Sequence, residues 1–354
     1  MGSFFEVLAD PTNKVYIDDV ELNPGDKAIH IDRAYFVGWK DTNITSLKPS
    51  IHDSGVIFNN ELHFIGSSKS NPSVGMHCKF DGTNWTSNVS TLPYNPAYCK
   101  AIVFNDEIHI FGGHPNSLTK DKNYSSQKYH YKLNKDTNVW EKVSTLPYYF
   151  FGGSAVIYNG KIHLMGGGRT STTRKKHYYL IVSKGKYIWK STTALSQLLR
   201  GFYKAFVVSD INGNETLYFC GEKKIENSDN GNYSKLYYYD KKKKKWVKAL
   251  DFSQFMGKTN QPHLGYADMF TFFGGEAYVW GSNNSVALKD SIKGINFNEG
   301  TGTLKSVYEF ANNIFTTKIG KYSHMFFFDG ELYLFTEDGN TMKSNAISYT
   351  VKVK

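Results

Sequence analysis

Apolar and polar residues alternate in short runs along most of this chain, and one such pattern recurs six times. Its clearest copy is SAVIYNGKIHLMGGG at 154–168, where two apolar runs flank an Asn-Gly pair and glycines follow. Alternation with a period of two predicts β-strands, and Asn-Gly between them predicts a tight hairpin turn. The other copies lie at 54–68, 100–113, 204–222, 266–282 and 323–338. The sequence therefore predicts a repeat protein built from β-hairpins.

Each hairpin is followed by a second pair of strands, which a tryptophan and a later leucine mark. The markers are Trp85 and Leu92, Trp140 and Leu146, Trp189 and Leu195, and Trp246 and Leu250, with Tyr308 at the tryptophan position of the fifth copy. A full repeat then has four strands, a to d, and spans roughly 45–60 residues. Four-stranded repeats at this spacing are typical of the blades of a β-propeller.

The sixth copy lacks its fourth strand, because only residues 345–353 remain to form a strand after its hairpin. The segment AYFVGWKDTNITSLKP, before the first hairpin, carries Trp39 and Leu47 in the order of a fourth strand. We therefore expect residues 34–40 to complete the last blade beside the C-terminal strand and to protect the sheet edges. The predicted fold is all-β, a six-bladed propeller over residues 31–354 that an N-terminal strand closes, with a short arm at 1–30.

The glycines after the hairpins and the later tryptophan resemble the kelch repeat. The pairs Gly112-Gly113 and Gly166-Gly167 match that repeat best, whereas Gly66, Gly221 and Gly281 stand alone and the last copy has none. The resemblance covers about residues 34–354 and implies a kelch-type propeller. It implies no single function, because propellers include enzymes, adaptors and adhesins.

Composition narrows the classes of partner. Lys and Arg number 42 against 32 Asp and Glu, and the net charge of +10 favours anionic partners. The cysteines Cys78, Cys99 and Cys220 form no CxxC pair, so we expect reduced thiols and no metal site. No apolar run reaches the length of a membrane span, and the N-terminus lacks the pattern of a signal peptide. No cofactor motif is present, so no cofactor is expected.

Two groups of residues that suggest chemistry are better explained by the repeat. His63, His109 and His163 share one repeat position, which tyrosine occupies in the other copies, so we expect a structural role for them. The lysine run 241–245 aligns with the c–d turns of other copies, and a solvated turn is the expected interpretation.

A binding surface is expected where the long b–c loops and the d–a connections meet on one face of a propeller. Aromatic rings beside cations suit sugar rings and anionic polymers. The candidate ligand-binding residues on this face are Tyr94, Tyr98, Tyr148, Tyr149, Phe150, Arg169, Arg174, Lys175, Arg200, Tyr203, His263, Tyr266 and Tyr322.

The basic surface, the short arm and the lack of catalytic motifs are together similar to kelch-propeller proteins in tails and baseplates of phages, or phage-derived particles, of Gram-positive bacteria. That resemblance implies a non-enzymatic virion component, made in the bacterial cytoplasm, that attaches to a host surface glycan such as wall teichoic acid. It also implies a homo-oligomer, often a trimer in relatives, and no specific nucleic-acid partner. The arm would dock onto other tail proteins through its apolar start, Phe4, Phe5, Val7 and Leu8.

Two alternatives remain open. Bacterial sialic-acid epimerases (mutarotases) resemble the chain in size and repeat number, which implies an acid–base pair in the central funnel. Arg200, Glu222 and His263 are the candidates for that pair. An intracellular adaptor that grips a peptide ranks last, because such adaptors usually carry an oligomerising domain before the propeller.

Overall fold

In the computed structural model the described chain is almost entirely antiparallel β-sheet. The structure describes residues 5–6, 15–17, 20–22, 27–36, 39–47, 54–68, 74–113, 128–168, 170, 172–197, 205–209, 214–222, 234–251, 263–264, 270–273, 276–282, 292–297, 304–311, 324–329, 331–335, 340–344 and 347–353. Within these residues no helix has the length and hydrophobicity needed to cross a membrane.

Four sheets each consist of four consecutive strands, as the repeat predicts. Sheet 1 contains Ser54–Phe58, Glu61–Ser67, Gly75–Phe80 and Trp85–Thr86. Sheet 2 contains Lys100–Phe104, Glu107–Phe111, Tyr129–Asn134 and Val139–Thr145. Sheet 3 contains Ser154–Tyr158, Lys161–Met165, His177–Ser183 and Lys186–Ser191. Sheet 4 contains Ala205–Ser209, Glu215–Glu222, Ser234–Asp240 and Lys245–Asp251.

All six predicted hairpins are present as antiparallel strand pairs. The turn of sheet 3 shows why the sequence forms them: Tyr158 pairs with Lys161, and the two residues between them have φ of +48° at Asn159 and +65° at Gly160. Asn and Gly tolerate this left-handed conformation, and a turn of this kind matches the right-handed twist of the strands.

The later repeats form two further sheets. Sheet 5 contains His263–Leu264, Phe270–Phe273, Glu276–Ser282, Ile292–Phe297 and Leu304–Ala311. Sheet 6 contains His324–Phe328, Glu331–Phe335 and Asn340–Ser344, and its fourth strand is Trp39–Thr45. The N-terminal segment thus pairs with the last hairpin's sheet, with Lys40 opposite Lys343.

The expected composition of the last sheet needs a correction. The strand beside the N-terminal segment is Asn340–Ser344 and not residues 345–353. Ile347–Val353 instead pairs with Lys27–Phe36 in a separate sheet to which Phe5–Glu6 also belongs. Residues 34–36 therefore lie outside sheet 6, because their backbone groups already pair with the C-terminal strand. Val15–Ile17 and Val20–Leu22 form a small hairpin of their own, and the division of the chain at residue 30 stays a prediction.

Buried clusters of apolar side chains lie between successive sheets. Ile65 of sheet 1 packs with Ile108 and Trp140 of sheet 2, and equivalent clusters join sheets 2 and 3 and sheets 3 and 4. Sheet 6 packs on sheet 1 in the same way, with the rings of Phe64 and Phe326 5.7 Å apart. Sheets stacked face to face in this order fit a β-propeller.

Candidate functional site

The d–a connections and the starts of the b–c loops are tied together by backbone hydrogen bonds. The amide of Gly113 donates to the carbonyl of Phe150 at 2.8 Å, and that of Gly168 donates to Phe151 at 2.9 Å. The amide of Gly152 donates to the carbonyl of Tyr98 at 3.0 Å, which joins two neighbouring connections. The d–a connections and the starts of the b–c loops therefore form one continuous face at this end of the sheets, as the sequence predicted. This face is named here the loop face.

Close backbone contact explains the first glycine of the kelch-like pair in sheet 2. Gly112 has φ of +57°, and a Cβ there would lie 1.8 Å from the carbonyl oxygen of Phe150. Any larger residue would therefore push the connection away from the end of the b strand. The glycine is a packing requirement of the loop face, and it carries no chemistry.

Two of the predicted binding tyrosines anchor this face. Tyr94 donates its hydroxyl to the carbonyl of Gly112 at 2.6 Å, and Tyr148 donates to Gly166 at 2.8 Å. Burial raises the pKa of both phenols well above 10, so both remain protonated donors at neutral pH. Tyr148 and Phe150 are buried, with 3% and 0% exposure, and so present no ring face to a ligand.

Tyr149 points the other way from its two neighbours and is 40% exposed. The Nζ of Lys128 lies 4.9 Å from the centre of its ring, in a cation–π contact. The Nε of Arg174 donates to the carbonyl of Gly168 at 3.3 Å. A Cβ at Gly168 would meet the carbonyl oxygen of Tyr149 at 3.0 Å, so Arg174 is held close to the Tyr149 segment.

A cavity of about 230 Å³ lies between the innermost strands of sheets 1, 2 and 3. Its lining includes Ser54, Lys100 and Ser154 at the ends of these strands nearest the loop face. Each serine hydroxyl accepts a hydrogen bond at 2.9 Å from a backbone amide of the neighbouring sheet. The donor is Ala101 for Ser54 and Ala205 for Ser154. The lining is therefore polar at one end, and Lys100 brings a cation to it.

The structure brings together only part of the predicted binding set. Tyr149, Arg174 and the backbone of Tyr98 lie on the tied face, and Lys175 is exposed in the short 3-10 helix Thr173–Lys175. Arg169, Arg200, Tyr203, Tyr266 and Tyr322 lie outside the described residues, as do Phe4, Val7 and Leu8 of the arm. For His263, Glu222 and Phe5 the structure describes the strand but not the side chain. Lys128 was not predicted from the sequence.

A buried network joins two histidines and a serine in sheet 1. His77 and His63 are linked between Nε2 and Nδ1 at 2.9 Å, and His77 Nδ1 lies 2.6 Å from Ser90 Oγ. The indole of Trp140, from sheet 2, donates to the same serine oxygen at 2.8 Å. Sheet 2 repeats this arrangement with His109, His130 and Ser144, with Trp189 of sheet 3 as the donor, at distances of 2.8, 2.9 and 3.1 Å.

The chemistry of the donors gives these networks a direction. An indole N–H can only donate, so Ser90 accepts from Trp140 and can donate its own proton to His77 Nδ1. His77 then carries its proton on Nε2 and donates to His63, which leaves a proton on His63 Nε2. That nitrogen is buried without a hydrogen bond and faces the Glu61 carboxylate at 3.8 Å. The equivalent contact in sheet 2, His109 to Glu107, is 4.0 Å.

Sheet 3 reverses the direction. His177 pairs with His163 at 2.8 Å, but its Nδ1 meets the carbonyl of Thr193 at 3.2 Å. A carbonyl can only accept, so His177 carries its proton on Nδ1 and receives a hydrogen bond from His163. The residue at the Glu61 position here is Lys161, whose charge favours an unprotonated nitrogen on His163. The Tyr158 carbonyl acts in the opposite sense and favours a proton on that ring.

All six rings are neutral at pH 7, because burial is the largest cause that lowers each pKa. The pKa falls to about 4 for His63, His109 and His177 and to about 3 for His77 and His163, and that of His130 is well below 6.5. Neutral rings hydrogen-bonded to each other agree with the predicted structural role. Among the described residues, no three metal-ligating side chains form a group.

The comparisons with known proteins address the fold. No protein-family model matches the chain, and no curated protein is similar to it. One solved structure that matches is the structure of YjhT, with 16% sequence identity and a TM-score of 0.52 over 73% of this chain and 83% of that one. This likeness and the repeated four-stranded sheets fit a kelch-type β-propeller.

Proposed function

We propose that the protein is a closed six-bladed propeller that binds a carbohydrate where its loop face meets the central cavity, and that it interconverts the anomers of that sugar. Three observations support the ring: Trp39–Thr45 pairs in sheet 6, sheet 6 packs on sheet 1, and the fold is similar to that of YjhT. The resemblance to sialic-acid mutarotases in size and repeat number supports the activity. The likeness to the YjhT structure supports the propeller fold that this activity would need.

The observation that carries the proposal is the exposed ring of Tyr149, with Lys128 over the ring and Arg174 held near the backbone of the same connection. Sugar C–H groups pack on aromatic faces, and cations beside the ring suit an acidic sugar. The same connection runs on into Ser154, which lines the cavity. A sugar that stacks on Tyr149 would therefore extend toward the hydroxyls and the Lys100 cation of the cavity.

Mutarotation requires one group to remove a proton from the anomeric hydroxyl while another donates a proton to the ring oxygen. The described residues of the cavity lining supply one titratable group, Lys100. The acid–base pair itself is expected among Arg200, Glu222 and His263. The protein would thereby speed a step that water already performs slowly, with no covalent intermediate.

Anomer exchange can be measured directly by two-dimensional exchange NMR on free reducing sugars. We expect the protein to raise the exchange rate of at least one sugar in a panel of N-acetylneuraminic acid, glucuronic acid, N-acetylglucosamine and glucose. Heat-denatured protein at the same concentration is the control. Rates equal to the control for every sugar, together with a properly folded sample, would contradict the activity.

A second candidate is the non-enzymatic attachment of a virion, as a homo-oligomer docked through residues 1–30, to a host wall glycan. The net charge of +10 favours it, because wall polymers are rich in phosphate. Binding of the intact protein to purified bacterial walls, without any anomer exchange, would select this candidate.

A further inference from the structure

In sheets 1 and 2, lysines near the end of the sheets opposite the loop face form ion pairs with acidic side chains. Lys79 Nζ lies 2.9 Å from Glu61, and Lys132 Nζ lies 2.7 Å from Glu107. On the c–d turn of sheet 2, Lys135 pairs with Asp106 at 2.5 Å. These three lysines are therefore paired with acids.

The same positions in sheets 3 and 4 carry mostly unmatched positive charge. Lys161 occupies the position of Glu61 and Glu107, and Tyr179 occupies that of Lys79 and Lys132, so sheet 3 lacks this ion pair. The exposed or turn lysines of this surface, named here the lysine edge, are Lys161, Lys184, Lys186, Lys241, Lys242, Lys243, Lys244 and Lys245. Among the described residues, two acids lie near these lysines: Asp240, which pairs with Lys243 at 3.6 Å, and Glu215, which accepts the amide of Asn159.

The lysine edge is continuous across the two sheets. Lys241 Nζ of sheet 4 reaches Asn159 Oδ1 in the a–b turn of sheet 3 at 3.4 Å and lies 5.2 Å from the ring centre of Tyr158. Within sheet 3 the a–b and c–d turns are two strand spacings apart, about 10 Å. The lysine cations therefore extend in a line along the ends of two sheets. A linear polyanion fits this arrangement better than a single small anion does.

We propose that the lysine edge binds a linear phosphate polymer through its phosphates alone. Lysine acts as a point charge toward phosphate, whereas reading bases needs arginine forks or exposed aromatic rings. The lysine edge contains no arginine, and the ring of Tyr158 beneath it is buried, with 4% exposure. This surface lies at the opposite end of the sheets from the loop face, so the proposal does not depend on the sugar site.

The test measures the affinity of the full chain for inorganic polyphosphate by fluorescence anisotropy at several salt concentrations. Replacing two exposed lysines of the edge (K242Q/K245Q) should weaken binding about tenfold at low salt and make the salt dependence shallower by about two charges. The matched control removes two exposed lysines from sheet 2 (K135Q/K142Q) and should change the affinity less than twofold. Arginine at the edge (K242R/K245R) should retain binding.

Three results would overturn the proposal. Equal weakening by the edge and control variants would mean that net charge alone attracts the polymer. Equally tight binding of poly-glutamate would mean that the phosphates are not recognised. Much tighter binding of single-stranded DNA than of polyphosphate would mean that bases are read. Because all four positions are exposed, unchanged thermal unfolding of the variants would show that these outcomes report on binding.

Discussion

Replacement of His130 by alanine is expected to lower the free energy of unfolding by about 3–5 kcal/mol, within the range measured when large buried rings are truncated. His130 has 0% exposure, and its ring packs on Phe111 at 4.6 Å between centroids. Its loss leaves a cavity and removes the hydrogen bonds to His109 and Ser144 together. Unsatisfied buried groups add to the cost of the lost packing. Urea unfolding followed by circular dichroism gives the difference.

Thr145 supplies a matched control, because it is exposed at the end of the neighbouring strand, opposite Tyr129, and lies outside the network. Thr145→Ala should change stability by less than about 0.5 kcal/mol. His130→Phe keeps a buried aromatic ring, slightly larger than imidazole, but not the nitrogens, so it separates packing from hydrogen bonding and should fall between the two. A loss below about 1 kcal/mol for His130→Ala would mean that the paired rings contribute little.

Acid should unfold the protein well before its carboxylates are protonated. In the unfolded chain histidine titrates near 6.5, whereas the folded pKa is about 4 for His63, His109 and His177. As the pH falls below 6.5 the unfolded state takes up protons first, so stability is full above that pH and declines toward pH 4. One such histidine accounts for about 3 kcal/mol over this window, so three together contribute about 9 kcal/mol, which is comparable to the whole stability of a typical domain.

The measurement is a series of urea unfolding curves between pH 7.5 and pH 4.5. The carboxylates Asp81 and Asp240 have a lowered pKa because backbone amides donate to them, so their contribution is lost only at more acidic pH. The loss of stability expected above pH 4.5 is therefore assigned mainly to the histidines. A stability that stays constant from pH 6.5 to pH 4.5 would contradict the buried neutral pairs.

The hairpins were predictable because their signals are local. Asn159-Gly160 between two apolar runs specifies a turn and the register of both strands without reference to the rest of the chain. The last sheet was predicted only in part, because the choice between residues 34–40 and Trp39–Thr45 depends on which strand pairs with Ile347–Val353. That competition between distant segments leaves no trace in local patterning.

The candidate site was less predictable, because adjacent residues of one connection differ in whether they are buried or exposed. Tyr148 and Phe150 are buried and Tyr149 is exposed, although all three are aromatic and consecutive. One feature of the repeat could have predicted the histidine pairs. A histidine on the c strand accompanies each histidine on the b strand in sheets 1 to 3, as His77, His130 and His177. Recurrence at a second fixed repeat position indicates a partner, and the structure shows that contact.

The proposed function requires that the loop face around Tyr149 binds the sugar. Saturation-transfer NMR with the same four sugars tests it most directly on wild type, Tyr149→Ala and Ile188→Ala. Ile188 is a suitable control because it is 38% exposed on the outer strand of sheet 3. We predict a signal for at least one sugar that Tyr149→Ala abolishes and Ile188→Ala preserves. A signal that survives Tyr149→Ala unchanged would place the sugar elsewhere and contradict the account.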